Sequence, residues 1–280
     1  MIEVFSSTSC TLGEGAFWHP SRKHLFWFDI LGMRLYTVDA GKERFWEFDE
    51  CVSAMGWIDH DRVIIASASG LWEFDIETGE QSYLAALEAD NATTRSNDGR
   101  ADPWGGFWIG TMGFNAEPGA GAIYRYYQGS LRKLVSNVTI SNAICFAPDR
   151  SCAYYTDTVK GKIMRQPLAP EDGWPVGKPE LFLDLSGEDF GPDGAVVDAV
   201  GNLWNAQWGA SRVACYGPDG TLLQEIAVPT PQVTCPAFGG ADLSTLYITS
   251  AADGDLPAPA GLTFAMATNA VGQLEHQVEI

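Results

Sequence analysis

The chain has 280 residues, 46% of them hydrophobic and 12% aromatic, which is enough for a large core in one domain or two. Its 36 acidic residues outnumber 17 basic ones, and the formal net charge of −19 excludes a phosphate-backbone partner and hence nucleic acid. No apolar run reaches the roughly 18 residues of a membrane span, and MIEVFSSTSC lacks the basic and apolar parts of a signal peptide, so a soluble cytoplasmic protein is expected.

In chain order, the first distinctive stretch is TLGEGAFWHP, residues 11–20. It sets Glu14 between two glycines at the entrance to an apolar run, where a buried carboxylate needs a partner. Six short aromatic and β-branched runs follow: LFWFD from Leu25, VIIAS from Val63, FWIGT from Phe107, AYYTD from Ala153, LWNAQ from Leu203 and LYITS from Leu246. Their starts are spaced by 38, 44, 46, 50 and 43 residues. Turn signals such as HPSRKH, APDRSC and VDAVGN precede them, and second short strands such as RLYTVD, GLWEFD, AIYRYY, KIMRQP and RVACYG follow. The period matches the roughly 40–50 residues of a β-propeller blade. It predicts an all-β fold, a single six-bladed β-propeller domain over residues 1–280, with a metal site in the central channel. A pair of β-sandwiches is the alternative and explains the period poorly.

Glu14 lies 11 residues before Leu25. An offset of 10 or 11 residues finds Asn97 before Phe107, Asn142 before Ala153 and Asp193 before Leu203, while before Val63 and Leu246 it falls near Cys51 and Cys235. Equivalent positions in a propeller form a ring around the channel, so these four residues should converge at one mouth. Taken singly, each of Asn97, Asn142 and Asp193 is more often a turn residue than a ligand. In register with the repeat they form an all-oxygen cluster suited to one divalent cation: Ca²⁺, Mg²⁺ or Mn²⁺, with Zn²⁺ or Fe²⁺ accepted alongside water.

Other chemistries find less support. The four histidines have no HExxH spacing, and GxSxG, GxGxxG and P-loop motifs are absent. The six cysteines form no CxxC pair and read as reduced, buried thiols. The sequons at Asn91 and Asn137 carry no weight without a secretion signal. The tryptophans read as core, and His19 as a satisfied structural residue or a support to the metal.

The segments LGEGAFW, RSNDGRADPWGGFWIGTM, EPGAGAIYR, ISNAICFAPD and PDGAVVDAVGNLW occur in one order over nearly the whole chain. In these the chain resembles the SMP-30/gluconolactonase/regucalcin-like family of sugar lactone hydrolases, nearer its bacterial aldonolactonases than its animal members. The resemblance implies a six-bladed propeller with one divalent metal. It makes Glu14, Asn142 and Asp193 the metal ligands and Arg95 and Asn97 substrate contacts. Asp98 becomes a turn residue or a support. A substrate-binding acid of some members has no secure counterpart here, Glu117 being nearby in sequence only. Ala16 replaces the proline of the family's LGEGPxW pattern.

The function implied is hydrolysis of an aldono-1,4- or 1,5-lactone to the aldonic acid in a sugar oxidation pathway, with a sugar lactone as the partner molecule. Asp193 is the candidate general base as well as a ligand. The rival readings are a non-enzymatic calcium- or sugar-binding propeller and a metal-dependent aryl-ester or organophosphate hydrolase.

Overall fold

The computed structural model describes residues 1–254 and 256–280. Its strands form six antiparallel sheets of four strands each. The innermost strands are Gly13–His19, Val52–Trp57, Thr94–Ala101, Ser141–Phe146, Gly191–Val197 and Val233–Gly239, and they define blades 1 to 6. They pack side by side in that circular order, blade 6 returning to blade 1. Five blades are built from consecutive strands. Blade 6 takes its outermost strand, Glu3–Ser6, from the N-terminal end of the chain, where it pairs with Thr263–Ala267. Blade 6 thus ties the two ends of the chain together. One short 3-10 turn, Thr158–Lys160, is the only helical element among the described residues, and no described helix is long and apolar enough to cross a membrane.

The six apolar runs of the sequence are the second strands of the six blades. Each lies between two neighbouring sheets, so both its faces are covered and the run is continuous rather than alternating. Leu25, Phe26, Trp27 and Phe28 are all buried for this reason. The outermost strands, such as Lys42–Glu47, alternate between half-buried and exposed positions. Six apolar clusters fill the six gaps between blades: Phe5 bridges Trp27 and Tyr247 between blades 1 and 6, Trp108 meets Phe146 between blades 3 and 4, and Trp204 meets Phe238 between blades 5 and 6. Trp27, Trp108 and Trp204 are therefore core. All six cysteines are free, and five are buried.

Every innermost strand has a register shift near its start: after Glu14, Val52, Ser96, Asn142, Pro192 and Val233. A bulge inserts an extra residue and re-aims the side chains beside it. Six bulges at equivalent points therefore turn six polar positions toward the channel mouth. The blade 1 bulge needs glycine: Gly15 has φ +57°, and a Cβ there would lie 2.3 Å from the Ser53 carbonyl oxygen.

At the far end of the channel, residues 272–279 cross beneath the blades. Gln273 donates to the Phe146 and Val197 carbonyls, Gln277 to that of Ile58, and the Val278 amide to that of Trp57. Glu275 pairs with Arg100 on the inner strand of blade 3.

Candidate metal centre and cavity

The opposite mouth opens into a cavity of about 360 Å³ lined by Glu14, Arg95, Asn97, Asn142 and Asp193. The structure thus brings the five predicted residues together on one cavity, each 3–7% exposed. Blades 1, 4 and 5 supply Glu14, Asn142 and Asp193; blade 3 supplies Arg95 and Asn97. In blades 2 and 6 the equivalent bulged positions are Ser53, which lies at the offset itself, and Thr234, one residue from it. Both are spent on structure: Ser53 Oγ donates to Ser96 Oγ at 2.8 Å, and Thr234 Oγ1 to the Gly13 carbonyl at 2.6 Å.

The two carboxyls are buried and close enough to share a hydrogen bond. Burial raises the pKa of Glu14 first and the charge of Asp98 second, partly offset by the Gly15 amide and Arg95. Asp193 is raised well above the usual carboxylate range by burial, then by the charges of Glu14 and Asp98. Each accepts the backbone amide of the residue that follows it, Gly15 and Gly194, both at 3.0 Å. Two buried carboxyls that resist ionising beside one another are the signature of a site short of positive charge.

A chain of hydrogen bonds sets the amides. Arg95 Nη1 donates to the Ser96 carbonyl at 2.9 Å and to Asn97 Oδ1 at 2.8 Å. Asn97 Nδ2 then donates to the Ser141 carbonyl at 2.8 Å and to Asn142 Oδ1 at 3.2 Å. Asn142 Nδ2 donates to Thr158 Oγ1 at 2.9 Å. The Asn142 amide is thereby fixed, its oxygen on the Asn97 side, and the residue lines the same cavity as the two carboxyls. Two carboxylates and an amide oxygen are hard donors, and this donor set fits a divalent cation.

Asp98 stands one layer deeper. It accepts the Ile144 amide at 2.6 Å, which pins the blade 4 bulge just after Asn142. Burial raises its pKa to about 6, with the Ile144 amide opposing. His19 is at the other end of the blade 1 strand, where Nδ1 accepts the Ser21 and Arg22 amides at 3.3 and 3.2 Å. Glu117 accepts the Asn115 amide at 3.0 Å and its side chain at 2.9 Å, bracing the loop that carries Asn115 to the cavity.

Sequence reasoning missed the rest of the wall, which includes Leu31, Met112, Phe114, Thr158, Trp208 and the acid Asp253. Most come from loops or strand ends at the mouth, where blade lengths differ and no period marks them.

Residues 12–252 match the model of the SMP-30/gluconolactonase/LRE-like region. The chain belongs to this family. It is 42% identical to a putative sugar lactone lactonase of Rhizobium meliloti, over 97% of this chain and 95% of that one. It is 36% identical to the L-arabinolactonase of Azospirillum brasilense, over 89% of this chain and 83% of that one. Among solved structures, a calcium-binding regucalcin from Agrobacterium tumefaciens superposes with a TM-score of 0.96 at 39% identity, covering 99% of this chain and 97% of that one.

Proposed function

We propose that this protein hydrolyses a sugar lactone to its aldonic acid, using one divalent ion held by Glu14, Asn142 and Asp193. The observation that carries the reading is the pair of buried, mutually repelling carboxyls beside an oriented amide oxygen, at the floor of a cavity with Arg95 and Asn97 on its wall. The names of the relatives, a sugar lactone lactonase and an L-arabinolactonase, support the same substrate class. Free and mostly buried cysteines suit a reducing compartment, and we assign the cytoplasm.

When bound, the ion supplies electrophilic polarisation of the lactone carbonyl and stabilises the negative charge that develops there. The protein's residues do the rest. Asp193 takes a proton from the attacking water as the new C–O bond forms. It returns that proton to the ring oxygen as the lactone C–O bond breaks. Arg95 holds the substrate's vicinal hydroxyls: its Nε is buried with no partner, a donor unused inside the protein. Asn97 is held by Arg95 and Asn142, which fixes its amide for contact with the ring. The apolar rim, including Trp208 and Phe114, limits water around the reacting bond.

The test is acid release from a panel of aldono-1,4- and 1,5-lactones, before and after chelation, with spontaneous hydrolysis subtracted. Catalysed hydrolysis that chelation abolishes and a divalent ion restores is the expected result. Full activity in preparations shown metal-free by elemental analysis would remove the ion from the mechanism. The second reading, a calcium-binding propeller without turnover, is favoured by the likeness to the Agrobacterium regucalcin, a calcium-binding protein. Metal binding with no hydrolysis of any lactone would select it.

A further inference from the structure

A second cavity of about 320 Å³ opens on the same face, and Phe114 lines both chambers. Each is near the lower end of the roughly 300–1,000 Å³ range of small-ligand pockets. The second chamber lies over blades 2 and 3, where Thr94 faces it and the next residue, Arg95, faces the first. In a ring of six blades, blade 2 stands opposite blade 5, which carries Asp193. Blade 2 adds only the small Ser53 to the ring. A lactone anchored by its carbonyl at Glu14, Asn142 and Asp193, with its hydroxyls at Arg95, turns its far end toward blade 2 and Phe114.

The chamber has the chemistry of a sugar site. Phe114 and Met33 offer exposed apolar surface for a C–H face. Glu50 spends one oxygen on Ser69 Oγ, at 2.8 Å. Glu88 Oε1 accepts the Tyr124 hydroxyl at 2.6 Å, while its Oε2 is buried without a partner. Acceptors beside an aromatic face suit a ligand rich in hydroxyl donors. No lysine, arginine or histidine is among the described residues lining the chamber, which disfavours an anionic ligand.

We propose that this chamber is a subsite for a second sugar, so that the substrates include aldono-1,5-lactones glycosylated on a hydroxyl remote from the carbonyl. The inference rests on the lactonase reading above. Water adds to the lactone carbonyl and the lactone C–O bond breaks. The glycosidic bond stays intact, and the product is the glycosylated aldonic acid.

The test compares glucono-1,5-lactone with cellobiono- and maltobiono-1,5-lactone on the metal-loaded protein, spontaneous hydrolysis subtracted. We expect a disaccharide lactone to be hydrolysed with kcat/KM at least equal to that of the monosaccharide. Ala92→Trp, which fills the chamber, should lower the disaccharide value about tenfold or more, equivalent to one good contact, and leave the monosaccharide value within about twofold. Glu88→Gln serves as a second variant with the same selectivity should Ala92→Trp fail to fold. Hydrolysis of the monosaccharide lactone alone would overturn the subsite and leave the lactonase reading standing. So would disaccharide hydrolysis that neither folded variant affects. Hydrolysis of neither lactone, nor of any other in the panel, would remove the lactonase reading and the subsite together.

Discussion

Thr158 decides which way the Asn142 amide points. Its hydroxyl donates to the Pro192 carbonyl at 2.8 Å, so toward Asn142 the oxygen can only accept, and it takes Nδ2–H at 2.9 Å. The Asn142 oxygen is thereby turned away from Thr158 and accepts Asn97 Nδ2 at 3.2 Å, beside the cavity that Glu14 and Asp193 also line, and the residue before Asp193 is tied into the same arrangement. Outer partners of this kind typically change metal affinity by about 10–100-fold when removed. Thr158→Val keeps the shape and loses the acceptor. Calorimetric titration with a divalent ion should show weakening in that range for Thr158→Val and little change for Thr158→Ser. Equal affinity for all three proteins would make Thr158 a bystander.

The blades and the ring were legible in the sequence because both follow the repeat. Glu14, Asn97, Asn142 and Asp193 sit at one offset from strands that are apolar on both faces, and that offset counts the residues from an inner-strand bulge to the next strand. In blade 2 the offset lands on Ser53 and in blade 6 it falls one residue past Thr234, but neither side chain carries distinctive chemistry. Thr158 escaped notice since a threonine in a turn looks like any other. Phe114 follows a second strand and Trp208 ends one, where the segments beyond the apolar runs differ from blade to blade. The pairing of Glu3–Ser6 with Thr263–Ala267 joins segments far apart in the chain, and no local pattern signals it.

Removing one carboxyl charge should stabilise the metal-free protein. Two like charges about 4–6 Å apart at an effective dielectric near 20 repel by on the order of 3–4 kcal/mol. Sharing a proton relieves part of this. Asp193→Asn or Glu14→Gln should therefore unfold at an equal or higher temperature than the parent in chelator. Saturating metal, at about 100 times its dissociation constant, should raise the parent's stability by roughly 2.7 kcal/mol and the variants' by far less. Melting curves in chelator and in metal provide the check. A variant destabilised equally in both conditions would make that carboxyl a scaffold residue.

Arg95→Ala should separate substrate from metal. Arg95 holds Asn97 at 2.8 Å but can ligate no cation. Its loss should raise KM for the lactone or lower kcat/KM by about tenfold or more, the worth of a charge-assisted hydrogen bond. Metal affinity should change less than in Glu14→Gln. Loss of the metal from a folded Arg95→Ala protein would contradict this division of roles.

His19 makes stability depend on pH. Burial first, and the charge of Arg22 second, lower its pKa from 6.5 to about 4. Between those values the unfolded chain binds more protons than the folded one, so stability rises with pH through this window and is lost as pH falls from 6.5 toward 4. The full gap corresponds to about 3–4 kcal/mol. His19→Asn retains an acceptor for the Ser21 and Arg22 amides and cannot titrate. Urea unfolding at several pH values should give a shallower slope for the variant than for the parent. Parallel slopes would mean that other groups carry the dependence.

At the far end of the channel, Arg100 and Glu275 form an ion pair with side chains only 11% and 7% exposed. Burial opposes the charge on Arg100, and Glu275 more than compensates. Breaking such a pair from one side leaves a buried charge uncompensated and costs about 3–5 kcal/mol. Glu275→Gln should therefore lower stability by that order, although Trp57 Nε1 still holds the residue 275 carbonyl at 2.9 Å. Replacing both partners with apolar groups, Arg100→Met with Glu275→Leu, should recover part of the loss. Full recovery is not expected, because Arg100 also favours the charged form of Asp98 beneath the proposed metal site. Urea midpoints of the parent, the two single variants and the double variant form the cycle. A Glu275→Gln protein as stable as the parent would show that the pair contributes nothing, and that backbone and glutamine contacts alone hold residues 272–279 across the channel.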